Sequence, residues 1–232
     1  MPSTDNVLLS TSGIMQCSAE GGRTLLSPTD FSLCEGDRMV IAGPAGSGKS
    51  VFMRTLALLD RIDGGTLAWR HAPVARNDVP AFRRRVSYIA QRPAMIDGTV
   101  EDNLRYPFSL KVYRDLAFRH ETAIDLLAAA GRGADFLDKP AGELSGGEAQ
   151  ITALIRVLQL VPEVLLLDEP TASLDPASTR DIETLIDTWL RRDATRAAVW
   201  VSHNDEQARR VGRRHLFMNA GVLRESFEAS PR

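Results

Sequence analysis

Residues 38–59 read RMVIAGPAGSGKSVFMRTLALL, and three signals follow one another within them. Arg38 to Ala42 is a short apolar run of the kind that forms a buried strand. From Ser50 to Leu59 the apolar residues Phe52, Met53, Leu56 and Leu59 recur at helical spacing. Between them, Gly43-Pro44-Ala45-Gly46-Ser47-Gly48-Lys49-Ser50 fits G-x-x-x-x-G-K-[ST], the phosphate-binding loop, in the strand–loop–helix setting that motif requires. Glycines let backbone N–H groups converge on phosphate oxygens, and the following helix offers its positive end. Lys49 is expected to reach the β and γ phosphates of a nucleotide, and the Ser50 hydroxyl to coordinate Mg²⁺. The plain alternative is a glycine-rich turn with an exposed lysine; the strand before it and the helix after it favour the phosphate loop.

Other short apolar runs lie at Val86 to Ala90, Val164 to Asp168, Ala197 to Ser202 and His215 to Asn219. Helical spacing appears between several of them, notably from Pro176 to Arg192, and this alternation predicts a mostly parallel α/β sheet. Val7 to Leu33 differs, with strand-like pieces broken by Gly13, Gly21, Gly22 and Pro28, and reads as an antiparallel β flap. Between Arg92 and Glu143 the β-branched runs vanish. Thr122 to Ala130 reads as helix, Pro93 to Pro107 as loop, and Gly131 to Gly142 as turns. The expectation is one domain: flap and core over 1–91 and 161–232, with a helical insert over 92–160.

The run Val164-Leu165-Leu166-Leu167-Asp168-Glu169 ends in two acids where a parallel strand opens onto the sheet's carboxyl edge. Asp168 is expected to hold Mg²⁺ through its water shell. Glu169 is expected to orient and deprotonate an attacking water.

Composition narrows the class. With 232 residues, 44% hydrophobic and 25% charged, the chain is globular, which excludes collagen-like and wholly disordered classes. A formal charge of −2 gives no bulk drive toward nucleic acid, so no nucleic-acid partner is expected. Only Lys49, Lys111 and Lys139 are lysines among 28 basic residues, and one of them sits in the phosphate loop. Two cysteines, Cys17 and Cys34, lack metal-knuckle spacing and suit a reducing compartment. Met1 to Ser10 has no basic n-region. No apolar run approaches the length that spans a bilayer, about 18 residues. Arg83-Arg84-Arg85 reads as a solvated charge run, with lipid headgroups as its other use.

Leu144-Ser145-Gly146-Gly147-Glu148 is on its own a capping box, Ser145 as N-cap and Glu148 three residues later, for a helix over 149–160. Two consecutive glycines exceed what a cap requires. Lying between a phosphate loop and LLLDEP, LSGGE resembles the signature of ATP-binding cassette (ABC) ATPases. Gln91 at the end of VSYIAQ, Ser173-Leu174-Asp175 after DEPTA, and His203 at the end of AVWVSH complete six motifs in that family's order over nearly the whole chain.

The resemblance implies a head-to-tail homodimer with two ATP molecules at its interface. Lys49, Ser50, Gln91, Asp168, Glu169 and His203 would come from one subunit and Ser145, Gly146 and Gly147 from the other. Gln91 is implied to be a ligand of Mg²⁺ and water, His203 a γ-phosphate contact, and Asp175 an interface residue besides an N-cap before Pro176. A single cassette without a membrane span implies a subunit peripheral to the cytoplasmic face of the cell membrane. It would be held there by a separate integral permease that docks near Gln91 and Met95 to Tyr113. The rival reading is a soluble ABC ATPase acting as a mechanical clamp or regulator without a permease. DNLRYPFSL (102–110), residues 155–175 and AAVWVSHND (197–205) resemble the ATP-binding subunit of small bacterial iron-export transporters.

Two departures stand out. No Phe, Tyr or Trp precedes Phe31 to stack on adenine; Cys17, Ser18 and Ala19 occupy the expected place, which predicts weaker nucleotide affinity. Ile151 stands where the family commonly has Arg, although Gln150 and Arg156 fit its pattern.

Overall fold

The apolar run at 38–42 is strand β3 (Arg38–Ala42) of a six-stranded sheet. Its companions are β6 (Val86–Ile89), β7 (Val164–Asp168), β8 (Ala197–Val201), β9 (Arg214–Asn219) and β10 (Val222–Glu225), in the order β10-β9-β3-β8-β7-β6. β3 runs parallel to β8 and β9, and β7 parallel to β8, while β10 returns antiparallel to β9. Every residue of β7 and β8 is buried, which explains their unbroken apolar reading. The computed structural model describes residues 6–19 and 22–225, and these fall into two units. This sheet belongs to the first, made of described residues up to 88 with 163–169 and 194–225.

The same unit holds a four-stranded antiparallel sheet of β1 (Val7–Cys17), β2 (Thr24–Cys34), β4 (Gly64–Trp69) and β5 (Ala72–Pro73), in the order β2-β1-β4-β5. The pieces expected in 7–33 are thus two long strands. Gly13, at φ +58°, sits where the β1–β2 register shifts between Thr11 and Ile14, so a bulge absorbs it. Pro28 is tolerated because β2 is an edge strand. Leu8, Leu26, Ile41, Phe52, Leu56, Leu166 and Val199 join both sheets and helix α1 (Lys49–Leu56) in one core. Phe31 lies edge-on against Phe52, with ring centroids 5.3 Å apart. Helix α1 stops short of Leu59: Leu58 turns left-handed at φ +54° and Leu59 is exposed.

The arginine run ends helix α2 (Val79–Arg85), with Arg83 and Arg85 exposed to solvent. Arg85 pairs with Glu163 at 3.0 Å, and Arg83 donates to the Leu58 carbonyl.

The second unit, residues 89–162 and 170–193, is helical. It contains α3 (Val100–Arg105), α4 (His120–Ala129), α5 (Gly146–Leu158) and α6 (Pro176–Arg191). The stretch expected as loop from Pro93 to Pro107 therefore holds a helix. Thr99 and Asp102 cap it reciprocally, Thr99 N–H donating to Asp102 Oδ2 at 2.8 Å and Asp102 N–H to Thr99 Oγ1 at 3.2 Å. Fully buried Asn103 then ties the preceding loop down through the Ile96 N–H and carbonyl, at 2.9 and 3.0 Å. Among the described residues no helix is long and apolar enough to cross a membrane. Helix α7 (Asp205–Val211) follows β8 in the first unit.

Candidate nucleotide site

The Gly43–Ser50 loop joins β3 to α1, and Gly48 caps the helix at φ +106°, a conformation L side chains rarely adopt. The Lys49 side chain is buried, and its Nζ donates to the carbonyls of Gly43 at 3.0 Å and Pro44 at 2.9 Å. Burial lowers the pKa of the ammonium below the ordinary lysine value, while Glu169 and Asp168 pull it back up. The Ser47 hydroxyl, also buried, has no hydrogen-bond partner among the described residues. A buried hydroxyl without a partner is costly. A loop offering an ammonium, an unsatisfied hydroxyl and a helix N-terminus fits an anion such as a nucleotide phosphate.

Asp168 ends β7 and is 4% exposed. Its Oδ1 accepts from Ser50 Oγ at 3.1 Å and its Oδ2 from the Tyr88 hydroxyl at 2.7 Å. One carboxylate beside one hydroxyl suits Mg²⁺, which keeps several waters and takes substrate phosphates as ligands. No group of three or more His, Cys, Asp or Glu side chains able to hold a metal is found among the described residues. Tyr88 is the member that sequence reasoning missed. Its phenol pKa is raised strongly by burial and by Asp168, so it stays a proton donor to that carboxylate.

Glu169 leaves the strand at φ +50°. For a bulky residue that left-handed conformation costs about 1–3 kcal/mol. Its Oε1 lies 2.5 Å from His203 Nε2. His203 follows β8, and the next turn is pinned: Ser202 Oγ donates to Gln207 Oε1 at 2.8 Å and accepts from Asn204 N–H at 3.0 Å. The first unit thus brings Lys49, Ser50, Asp168, Glu169 and His203 together through contacts with one another or with the loop.

Gln91 and the signature belong to the second unit. Ser145 caps α5, accepting from Glu148 N–H at 3.3 Å while Glu148 Oε2 accepts from Ser145 N–H at 2.8 Å. Lys139 Nζ lies 2.8 and 2.9 Å from the two Glu148 oxygens. Desolvation alone would raise the Glu148 pKa, but these bonds leave it lowered. Asp175 caps α6, accepting from Ala177 and Ser178 N–H at 2.9 and 3.0 Å. A Cβ on Gly147 would lie 2.6 Å from Ser178 Oγ, whereas one on Gly146 would make only ordinary contact, 3.5 Å from Leu174. Packing of α5 on α6 therefore accounts for the second glycine and leaves the first unexplained.

In the flap, Ser18 N–H donates to the Arg23 carbonyl at 2.9 Å and Cys17 N–H to Asp63 Oδ2 at 2.9 Å. Phe31 is buried against Phe52 and offers no stacking face.

A family model described as ABC transporter matches residues 26–172. The chain is 38% identical over 213 residues to Protein STAR1 of Oryza sativa subsp. japonica, covering 92% of this chain and 60% of that protein's length. It is 35% identical over 187 residues to the probable iron export ATP-binding protein FetA of Escherichia coli K12, covering 81% of each. It is 34% identical over 219 residues to the phosphate import ATP-binding protein PstB 2 of Natronomonas pharaonis, covering 88% of this chain and 75% of that one. Among solved structures it matches the dimeric post-hydrolysis state of the ATP-binding cassette MJ0796, bound to ADP and Pi, with a TM-score of 0.79 at 23% identity. That match covers 94% of this chain and 98% of the other, and it is a likeness of fold.

Proposed function

The chain belongs to the ABC transporter family of ATPases, and from that premise we propose that it hydrolyses ATP to power a separate membrane permease, peripheral to the cytoplasmic face through that partner. The observation that carries this reading is the run of contacts from the loop through Ser50 and Asp168, with the adjoining Glu169–His203 pair. Residues 43–48 are assigned to the phosphates, with the Lys49 ammonium neutralising their charge. Ser50, Asp168 and Gln91 would hold Mg²⁺, which when bound screens the β and γ phosphates. Glu169 takes the proton of the attacking water, held in place by His203, to which a γ-phosphate contact is also assigned. A second copy supplies Ser145, Gly146 and Gly147, and Asp175 lies at that interface. One domain, with 92–160 as its helical insert, remains our assignment.

Iron export is the finer assignment. It is supported by residues 102–110, 155–175 and 197–205 and by the E. coli relative, while the archaeal relative carries phosphate in its name. Substrate choice therefore rests with the permease.

The test is affinity purification of the Glu169→Gln protein with Mg-ATP from detergent-solubilised membranes of its own cells. The expected companion is a stoichiometric polytopic membrane protein, which then directs the search for substrate. Recovery with only soluble or nucleic-acid partners, despite intact ATP binding, would favour a mechanical clamp instead.

A further inference from the structure

Ser47 gives its carbonyl to a segment far away in the chain: Gly221 N–H donates to Ser47 O at 2.8 Å. Gly221 is the second residue of the two-residue turn Ala220-Gly221 that joins β9 to β10, across which Asn219 pairs with Val222. Both turn residues have positive φ, +46° and +77°. Tight hairpin turns that match strand twist require that conformation. The turn is fastened in its own right, since Ser27 N–H of β2 donates to Gly221 O at 2.9 Å.

Packing here dictates glycine at three positions. A Cβ on Gly43 would lie 2.0 Å from Met218 O of β9, one on Gly48 3.0 Å from Leu25 O of β2, and one on Gly221 2.8 Å from the same Leu25 oxygen. Among the described residues nothing lies within 4 Å of a Cβ on Gly46. Two of the three loop glycines are therefore held by the hairpin and β2 behind them.

A trans peptide is planar, with its C=O and N–H pointing in opposite directions. Holding the Ser47 carbonyl against Gly221 turns the Gly48 N–H away from the hairpin. We propose that the Ala220-Gly221 turn is a positioning element of the nucleotide site, fixing the Ser47–Gly48 peptide with its N–H aimed at bound phosphate. The proposal rests on reading Gly43–Ser50 as a nucleotide phosphate loop. Its consequence is affinity: a loop ordered before binding loses less conformational entropy on binding.

The experiment compares wild type, Gly221→Ala and the exposed hairpin control Val222→Ala for Mg-ADP affinity, steady-state ATP hydrolysis and thermal unfolding. Gly221→Ala is expected to raise Kd and KM about tenfold while kcat stays within about twofold and unfolding remains cooperative. Val222→Ala is expected to bind as wild type does. A lower unfolding midpoint with unchanged Kd and KM would make the turn merely structural and overturn the proposal. Should Gly221→Ala fail to fold, amide hydrogen exchange on the wild-type protein decides: Mg-ADP is expected to slow exchange at Gly221 about fivefold or more, and unchanged exchange at saturation overturns the proposal. Equal Mg-ADP binding by wild type and folded Gly221→Ala overturns the positioning role alone. Absence of binding by wild type overturns the nucleotide-site reading and this proposal together.

Discussion

Asp168 has two carboxylate oxygens and a different hydroxyl on each, Ser50 on Oδ1 and Tyr88 on Oδ2. Because the carboxylate is buried, deleting either donor leaves an acceptor that water reaches poorly. Tyr88→Phe keeps the ring and removes only the hydroxyl. It is expected to cost about 1–3 kcal/mol of stability in denaturant unfolding. It should also raise the Mg²⁺ concentration for half-maximal ATP hydrolysis several-fold, with nucleotide-free folding retained. An unchanged Mg²⁺ dependence would reduce Tyr88 to a packing residue. Lys49, Ser50, Asp168 and Glu169 were legible because each sits at a fixed offset within a local motif. Tyr88 was not: its partner is 80 residues away, and one tyrosine in a short strand has the same pattern whether it packs or donates.

Helix α5 shows what an element adds to its residues. The family's usual Arg is replaced by Ile151, which is fully buried, while Gln150 Nε2 donates to the Ala90 carbonyl at 3.2 Å and Arg156 Nη2 to the Ala94 carbonyl at 2.9 Å. The helix thus spends position 151 on its apolar face. Ile151→Arg, which restores the commoner residue, is expected to destabilise the protein by about 2 kcal/mol or more, since a cation is forced into a fully buried position. Unfolding in urea checks it, and a neutral result would mean that the guanidinium finds a route to solvent. Elements with several periods, such as α6, could be read from spacing alone. Helix α3 could not, because six residues complete less than two turns and its cap uses Asp102 in place of the usual Glu or Gln. Strands β4 and β5 were hidden for a different reason. They carry Gly64, Gly65 and Pro73, and a Cβ on Gly65 would lie 2.3 Å from the Gly13 carbonyl oxygen, so close backbone approach replaces side-chain alternation there.

The N-terminus of α5 carries features that its capping and its packing on α6 do not account for. Glu148 completes the cap, but a carboxylate there opposes an incoming anion. Lys139, 2.8 Å away, offsets that charge, so the end of a thirteen-residue helix keeps its attraction for phosphate. Gly146 adds backbone access that packing within the chain does not require. If these features serve a nucleotide held by a second copy, ATP binds the paired state more tightly than the single one, and the equilibrium shifts by that difference in affinity. Glu169→Gln removes the proposed base and should preserve the paired state by stopping hydrolysis. The variant is therefore expected to elute as a monomer without nucleotide and as a dimer with Mg-ATP, while turnover falls by about 10²-fold or more. Wild type should return to monomer as its ATP is consumed. Light scattering on the eluate reads both states. A Glu169→Gln protein that binds Mg-ATP yet stays monomeric across its saturation range would remove the second copy from the site, and undiminished hydrolysis would remove Glu169 from its role.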